Sequence, residues 1–195
     1  MCQFIETIQI LDGKIQRLGY HQARMDATRK HFFGDVTPIN LEQHIALPPV
    51  FEEIKCRIVY DKEIVDISYS PYHIRNIQWL KLVFDDQISY PYKSINRERL
   101  SELTLLKDSY DEILIVRNGL VTDTSYTNIA LFDGHQWVTP ASPLLKGTQR
   151  ASLIDKGILH EMDIRAESLS KFQRICLINA MMDFGKLVIP VKNIK

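Results

Sequence analysis

Four features of this chain have the residue types and the settings for chemistry. Lys93 lies in SYPYKSINRERL, residues 89–100. It stands where an extended run, Leu80 to Phe84, has given way to leucines at helical spacing, Leu100, Leu103 and Leu106. A lysine amine can form a Schiff base with a carbonyl, although most lysines are solvated surface charges. Asp123 ends a hairpin arm in GLVTDTSYTN. A carboxylate there can pair with a protonated ring nitrogen, or cap a turn through its own side chain. Gly147, Thr148 and Gln149 open a helix in TPASPLLKGTQR, and a helix start is either an anion site or simply a helix start. Arg24, in YHQARM, is a second cation for the same anion or an ordinary surface arginine. Asn128 and Asn179 carry the same ambiguity, because many asparagines only satisfy backbone.

The elements that must position these residues are legible in outline. Phe4 to Ile10 reads as a strand, Leu11-Asp12-Gly13-Lys14 as a hairpin turn, and His21 to about Phe33 as a helix closed by Gly34-Asp35. Leu41 to Ala46 suits a second helix closed by Pro48-Pro49. Lys55 to Tyr60, Glu63 to Tyr69 and Ile77 to Phe84 are β-rich and read as a run of antiparallel strands. Asp111 to Val116, the turn Asn118-Gly119 and Leu120 to Asp123 form a hairpin, and Asn128 to Thr139 repeats the pattern around Asp133-Gly134. Arg150 to Leu159 is helical by pattern, and Arg174 to Ile178 is a strand leading into Asn179-Ala180. The order is α+β rather than alternating βαβ. A boundary near residue 89 divides a small N-terminal α+β domain, 1–88, from a larger domain, 89–195.

Composition narrows the partners. The 195 residues are 45% hydrophobic and 25% charged, with Lys+Arg and Asp+Glu equal at 24 each. No basic patch is present in the sequence, so nucleic acid and anionic membrane are disfavoured, while a small anionic substrate is not. Cys2, Cys56 and Cys176 form no CxxC pair, and the six histidines lack metal-ligand spacing, so no metal is expected. With no signal-like start and no apolar run of membrane length, the expected location is the cytoplasm.

Taken together, an amine, a carboxylate for a pyridinium, and an arginine with a helix start for a phosphate are the parts of a pyridoxal phosphate (PLP) site. The chain resembles the class IV aminotransferase family, which includes branched-chain and D-amino acid aminotransferases and 4-amino-4-deoxychorismate lyase. The resemblance is carried by FIETIQILDGKIQRLGYHQARM, YKSINRERL, the stretch from DEILIVRNG to KGTQRASLI, and LINAMM. It implies a two-domain, D-amino acid aminotransferase-like fold with a shortened N-terminal domain, and a homodimer. It implies PLP on Lys93, its phosphate on Arg24 and the Gly147-Thr148-Gln149 turn, with Asn179 and Ala180 close by. Asp123 falls where the family usually has a glutamate for the pyridine nitrogen. The sequence lacks an Arg-x-His element of D-amino acid enzymes after CRIVYD, and the Gly-rich signature of branched-chain enzymes after the lysine. KSINR and NAMM look more like lyase segments. The resemblance therefore implies conversion of 4-amino-4-deoxychorismate to 4-aminobenzoate and pyruvate. The alternatives are an aminotransferase acting on D- or branched-chain amino acids and a binding module that has lost catalysis. Tyr92, Asn96, Arg97 and Tyr126 are further candidates to line the pocket.

Overall fold

A computed structural model describes residues 2–47 and 53–195. The chain forms two compact units that interleave along the sequence. One comprises Met1–His73 with Tyr92–Asn96, the other Ile74–Pro91 with Arg97–Lys195.

In the first unit, β1 (Phe4–Leu11) turns through Asp12 and Gly13, with φ of 50° and 70°, into the short β2 (Lys14–Ile15). That pair of positive φ values gives a tight turn whose twist suits a hairpin. Next come α1 (Leu18–Phe33), α2 (Leu41–His44), β3 (Ile54–Tyr60) and β4 (Ile64–Pro71). The sheet order is β2-β1-β3-β4, antiparallel throughout. Gly34 caps α1 at φ 72°, its amide donating to Lys30 O at 3.1 Å. Pro48-Pro49 lies outside the described residues. The period of two along β1 puts Phe4, Glu6, Ile8 and Ile10 on one face, and all four are buried. The buried stripe of α1 is His21, Met25, Thr28 and Arg29, correctly spaced for one helix face yet with a single apolar member. Arg29 spends its guanidinium on loop carbonyls, Thr37 O at 2.8 Å and Lys62 O at 2.5 Å.

The second unit holds two sheets. The smaller has the order β5-β6-β7, from β5 (Leu80–Phe84), β6 (Glu112–Arg117) and β7 (Leu120–Thr124), with α3 (Glu98–Leu105) lying between β5 and β6 in sequence. β5 pairs parallel with β6 and not with β3 or β4, which corrects the expected antiparallel run. A parallel pair needs a long crossover, and the stretch containing α3 supplies it. The larger sheet, β10-β9-β8-β11-β12, contains β8 (Asn128–Phe132), β9 (Trp137–Pro140), β10 (Leu159–Met162), β11 (Arg174–Ile178) and β12 (Val188–Pro190). The helix expected over 150–159 is α4 (Thr148–Asp155). It stops early because Gly157, at φ 69°, turns the chain into β10, which pairs parallel with β9. Leu100, Leu103, Ile113, Ile115 and Leu144 pack one core cluster; Ala130, Leu153, Leu159, Cys176 and Ile178 pack another.

Phe4 ties β1 to the 92–96 segment. Its ring lies 4.6 Å from that of Phe32, 5.9 Å from Tyr60 and 6.5 Å from Tyr92, and its backbone bridges Ser94. Phe4→Ala is expected to cost about 3–5 kcal/mol in urea unfolding. It should also speed hydrogen exchange at the Ile95 amide, which donates to Gln3 O at 3.0 Å.

Candidate active site

Lys93 and Arg24 both belong to the first unit and are fixed on successive residues of β1. Ile5 N donates to Lys93 O at 2.9 Å, and Ser94 N closes a tight turn on Tyr92 O at 2.8 Å. The Lys93 backbone is therefore pinned, while its side chain stays partly exposed. Tyr92 packs inward, stacked on His31 at 4.8 Å. At the next position of β1 stands Glu6, fully buried. Arg24 donates to its carboxylate from Nε at 2.9 Å and Nη2 at 2.5 Å, and His21 Nδ1 lies 2.6 Å from Oε2. Burial alone would push the Glu6 carboxyl up; Arg24 and His21 outweigh it and hold its pKa at about 2. Burial also holds His21 below its ordinary value, against the pull of Glu6, so the imidazole is neutral at pH 7 with Nδ1–H donating. With 15% side-chain exposure and a bidentate partner, Arg24 is a locked guanidinium and not a surface arginine. Sequence reasoning missed Glu6. Its signal was a charge on the otherwise apolar face of Phe4, Ile8 and Ile10.

In the second unit the structure brings Asp123, Gly147 and Asn179 around Asn128. Asp123, on β7, is 4% exposed. Its Oδ1 accepts from Asn128 Nδ2 at 2.9 Å and its Oδ2 from Leu145 N at 2.9 Å. Asn128 Nδ2 also donates to Leu145 O at 2.7 Å. Burial pushes the Asp123 carboxyl up to about 6; the hydrogen bonds, and Arg150 through its charge, pull the other way and do not cancel it. No lysine or arginine among the described residues bonds this carboxylate, in contrast to Glu6. Gly147 precedes α4 with ordinary extended φ, yet a Cβ there would collide with Asn128 Oδ1, so the glycine serves close approach. Thr148 and Gln149, both buried, form the first turn, where helix N–H groups lack intrahelical partners. Arg150 braces that turn through Pro140 O at 2.7 Å and Glu161 at 2.6 Å. Ile178 pairs in register with Asn128, which brings Asn179-Ala180 in beside it; Asn179 Oδ1 accepts from Met181 N at 2.8 Å.

The residues fit PLP on this chemistry. A buried carboxylate with hydrogen-bond donors but no bonded cation suits a protonated pyridine nitrogen, and a glycine-fronted helix start suits a phosphate.

The sequence pattern of the Amino-transferase class IV family matches residues 58–194. An uncharacterized protein of Haemophilus influenzae is 36% identical over 185 residues, 93% of this chain and 98% of its own length. A crystal structure from Haemophilus somnus 129PT, named as a "putative 4-amino-4-deoxychorismate lyase", superposes with a TM-score of 0.88 at 35% identity, covering 94% of this chain and 98% of that one. A "hypothetical aminotransferase" of Mycobacterium tuberculosis in PLP-bound form shares the fold at a TM-score of 0.75 and 16% identity, covering 93% of this chain and 78% of that one.

Two outcomes test the geometry. Because the folded-state pKa of Asp123 is raised above the ordinary 3.8, the carboxylate costs nothing below about pH 4, and stability falls as pH climbs from there to about 6. The fall amounts to about 3 kcal/mol. Glu6, with its pKa lowered, runs the opposite way, so the difference between two proteins isolates Asp123. Urea unfolding of cofactor-free protein at pH 4 and pH 7 should show the stability of the wild type falling relative to that of Asp123→Asn by this amount. Gly147→Ala should displace Asn128 and lower stability by about 1–3 kcal/mol in the same assay.

Proposed function

The chain belongs to the class IV aminotransferase family, and from that premise we propose that it is a PLP-dependent lyase converting 4-amino-4-deoxychorismate to 4-aminobenzoate and pyruvate. The family uses PLP. In this reading Lys93 carries the cofactor. Arg24 and the backbone of Gly147, Thr148 and Gln149 hold its phosphate, with Asn179 and Ala180 adjacent, and Asp123 faces the pyridine nitrogen. The observation that carries the cofactor assignment is Asp123, a buried acid raised to about 6 with no bonded cation. A pyridinium opposite it would bring that raised value back down and answer the charge. Asp123 is one methylene shorter than glutamate, and Asn128 and Leu145 hold it rigidly at that length. The choice of lyase over aminotransferase is supported by the near full-length likeness to the H. somnus chain and by the absence of the Arg-x-His element after CRIVYD.

When bound, PLP supplies an electron sink for a carbanion beside the substrate nitrogen. The Lys93 amine takes the proton from the substrate carbon bearing the amino group. Asp123 keeps the ring nitrogen protonated while this happens. The adjacent C–O bond then breaks with its electron pair leaving on the enolpyruvyl oxygen, and the six-membered ring becomes aromatic. Net, the proton removed from carbon is regained by the departing enolpyruvate, which becomes pyruvate. The balance needs no water and no redox partner.

A second reading, an aminotransferase acting on D- or branched-chain amino acids, draws on the fold shared with the M. tuberculosis chain. The proposal includes a cytoplasmic homodimer. Among the described residues, no helix is long and apolar enough to cross a membrane. The protein loaded with PLP should release 4-aminobenzoate and pyruvate in equal amounts from 4-amino-4-deoxychorismate. Lys93→Ala should lower the rate at least about a hundredfold. PLP-bearing protein that yields neither product, but passes to the pyridoxamine form with amino acids, would establish the aminotransferase instead.

A further inference from the structure

Two arginines grip the connection that joins β7 to β8, just past Asp123. Arg75 lies in an irregular stretch before β5, and its guanidinium is locked. Nη1 donates to Glu112 Oε2 at 2.9 Å, Nη2 to Asp111 O at 3.1 Å, and its Cζ lies 4.9 Å from the Tyr126 ring centre. Glu112 is fully buried, and its other oxygen accepts Ile113 N at 2.9 Å, so the carboxylate needs this cation. That bracing role alone does not account for exposure. Arg150 braces α4 with a side chain 5% exposed, whereas that of Arg75 is 48% exposed. A guanidinium held in place yet open to solvent has little freedom left to lose when an anion arrives.

Arg97 reaches the same connection from the other direction in sequence. Its Nη2 donates to Ser125 O at 2.5 Å, and its guanidinium lies 5.9 Å from the Tyr90 ring centre. Its Nε–H is buried and has no hydrogen-bond partner among the described residues. The Ser125 bond and the Tyr90 face hold the guanidinium at the connection, while the side chain as a whole is only partly buried. The two guanidinium groups thus sit on consecutive residues, Ser125 and Tyr126, of one short connection.

We infer that Arg75 and Arg97 form a two-cation receptor for a dicarboxylate, the specificity-determining element for substrate, on the connection that follows Asp123. The inference rests on the proposed lyase reading, whose substrate carries one carboxylate on the ring and another on the enolpyruvyl group. Each guanidinium takes one carboxylate. An amino acid with a single carboxylate engages one arginine and leaves the other unmatched, so the receptor selects against simple amino acids.

Chorismate is the probe: it keeps the ring and both carboxylates but has a hydroxyl in place of the amine. Calorimetric titration of the PLP-loaded protein should show that Arg75→Gln and Arg97→Gln each weaken chorismate binding at least about tenfold. Binding of 4-aminobenzoate, with one carboxylate, should weaken in only one of the two variants. For turnover, KM should rise by a similar factor while kcat stays within about threefold. The double variant Arg75→Gln/Glu112→Gln removes the guanidinium without stranding the buried carboxylate, and it must show the same loss as Arg75→Gln. Chorismate affinity unchanged in either single variant, or no chorismate binding by the wild type, overturns the receptor. A wild type that binds chorismate through both arginines but forms no 4-aminobenzoate leaves the receptor standing and removes the lyase reading.

Discussion

Burying a carboxylate obliges the surrounding chain to supply donors, and the means chosen decides what the carboxylate can do. Of the four acids buried among the described residues, three organise this protein. Glu6 receives a bidentate arginine and a histidine, and its charge is fully answered within the first unit. Glu112 receives an arginine and a backbone amide. Asp123 receives an amide side chain and a backbone N–H, both neutral donors. Neutral donors fix its position without neutralising it, so it alone of the three retains an electrostatic demand. The two glutamates are therefore scaffolding that immobilises arginines, and the aspartate is poised for a charge from elsewhere.

Asn128 is the hinge of that arrangement. One amide side chain donates to the acid and to Leu145 O in the turn after β9, and presses its oxygen against Gly147. The positions of the acid and of the helix start are consequently not independent variables. A shift of α4 along its axis would be felt at Asp123 through Asn128 and through the Leu145 amide, and the bracing of α4 by Arg150 opposes such a shift.

What the sequence disclosed follows from which interactions are local. The Asp12-Gly13 and Asn118-Gly119 turns, the Gly34 cap and strands β6 to β9 and β11 were readable because turn chemistry and period-two patterns are written in adjacent residues. The start of α4 at Thr148 was readable for the same reason. The partner of β5 was not, because nothing within Leu80–Phe84 distinguishes a parallel neighbour from an antiparallel one. Nor was β10, a short edge strand with one buried residue, Leu159, to mark it. The buried face of α1 was misleading: His21 and Arg29 are satisfied by Glu6, Thr37 and Lys62, outside the helix, so the spacing looks like that of a solvated helix. The resemblance pointed to Lys93, Arg24 and Asp123, and Glu6 showed as a charge among apolar neighbours, whereas Glu112 and the placing of Arg75 beside Tyr126 depend on long-range packing that no local motif encodes.

The chain enters the first unit a second time for only five residues, Tyr92–Asn96, and Lys93 is among them. Neither unit is thus a continuous piece of sequence. A fragment cut after His73 would lack the segment that bridges Phe4 and accepts the Ile5 amide. A chimaera with its crossover anywhere between β1 and Tyr92 would join β1 from one parent to a lysine segment from another. Any recombination or domain-grafting scheme must therefore move the two pieces together, and the lysine is inherited with its surroundings or not at all.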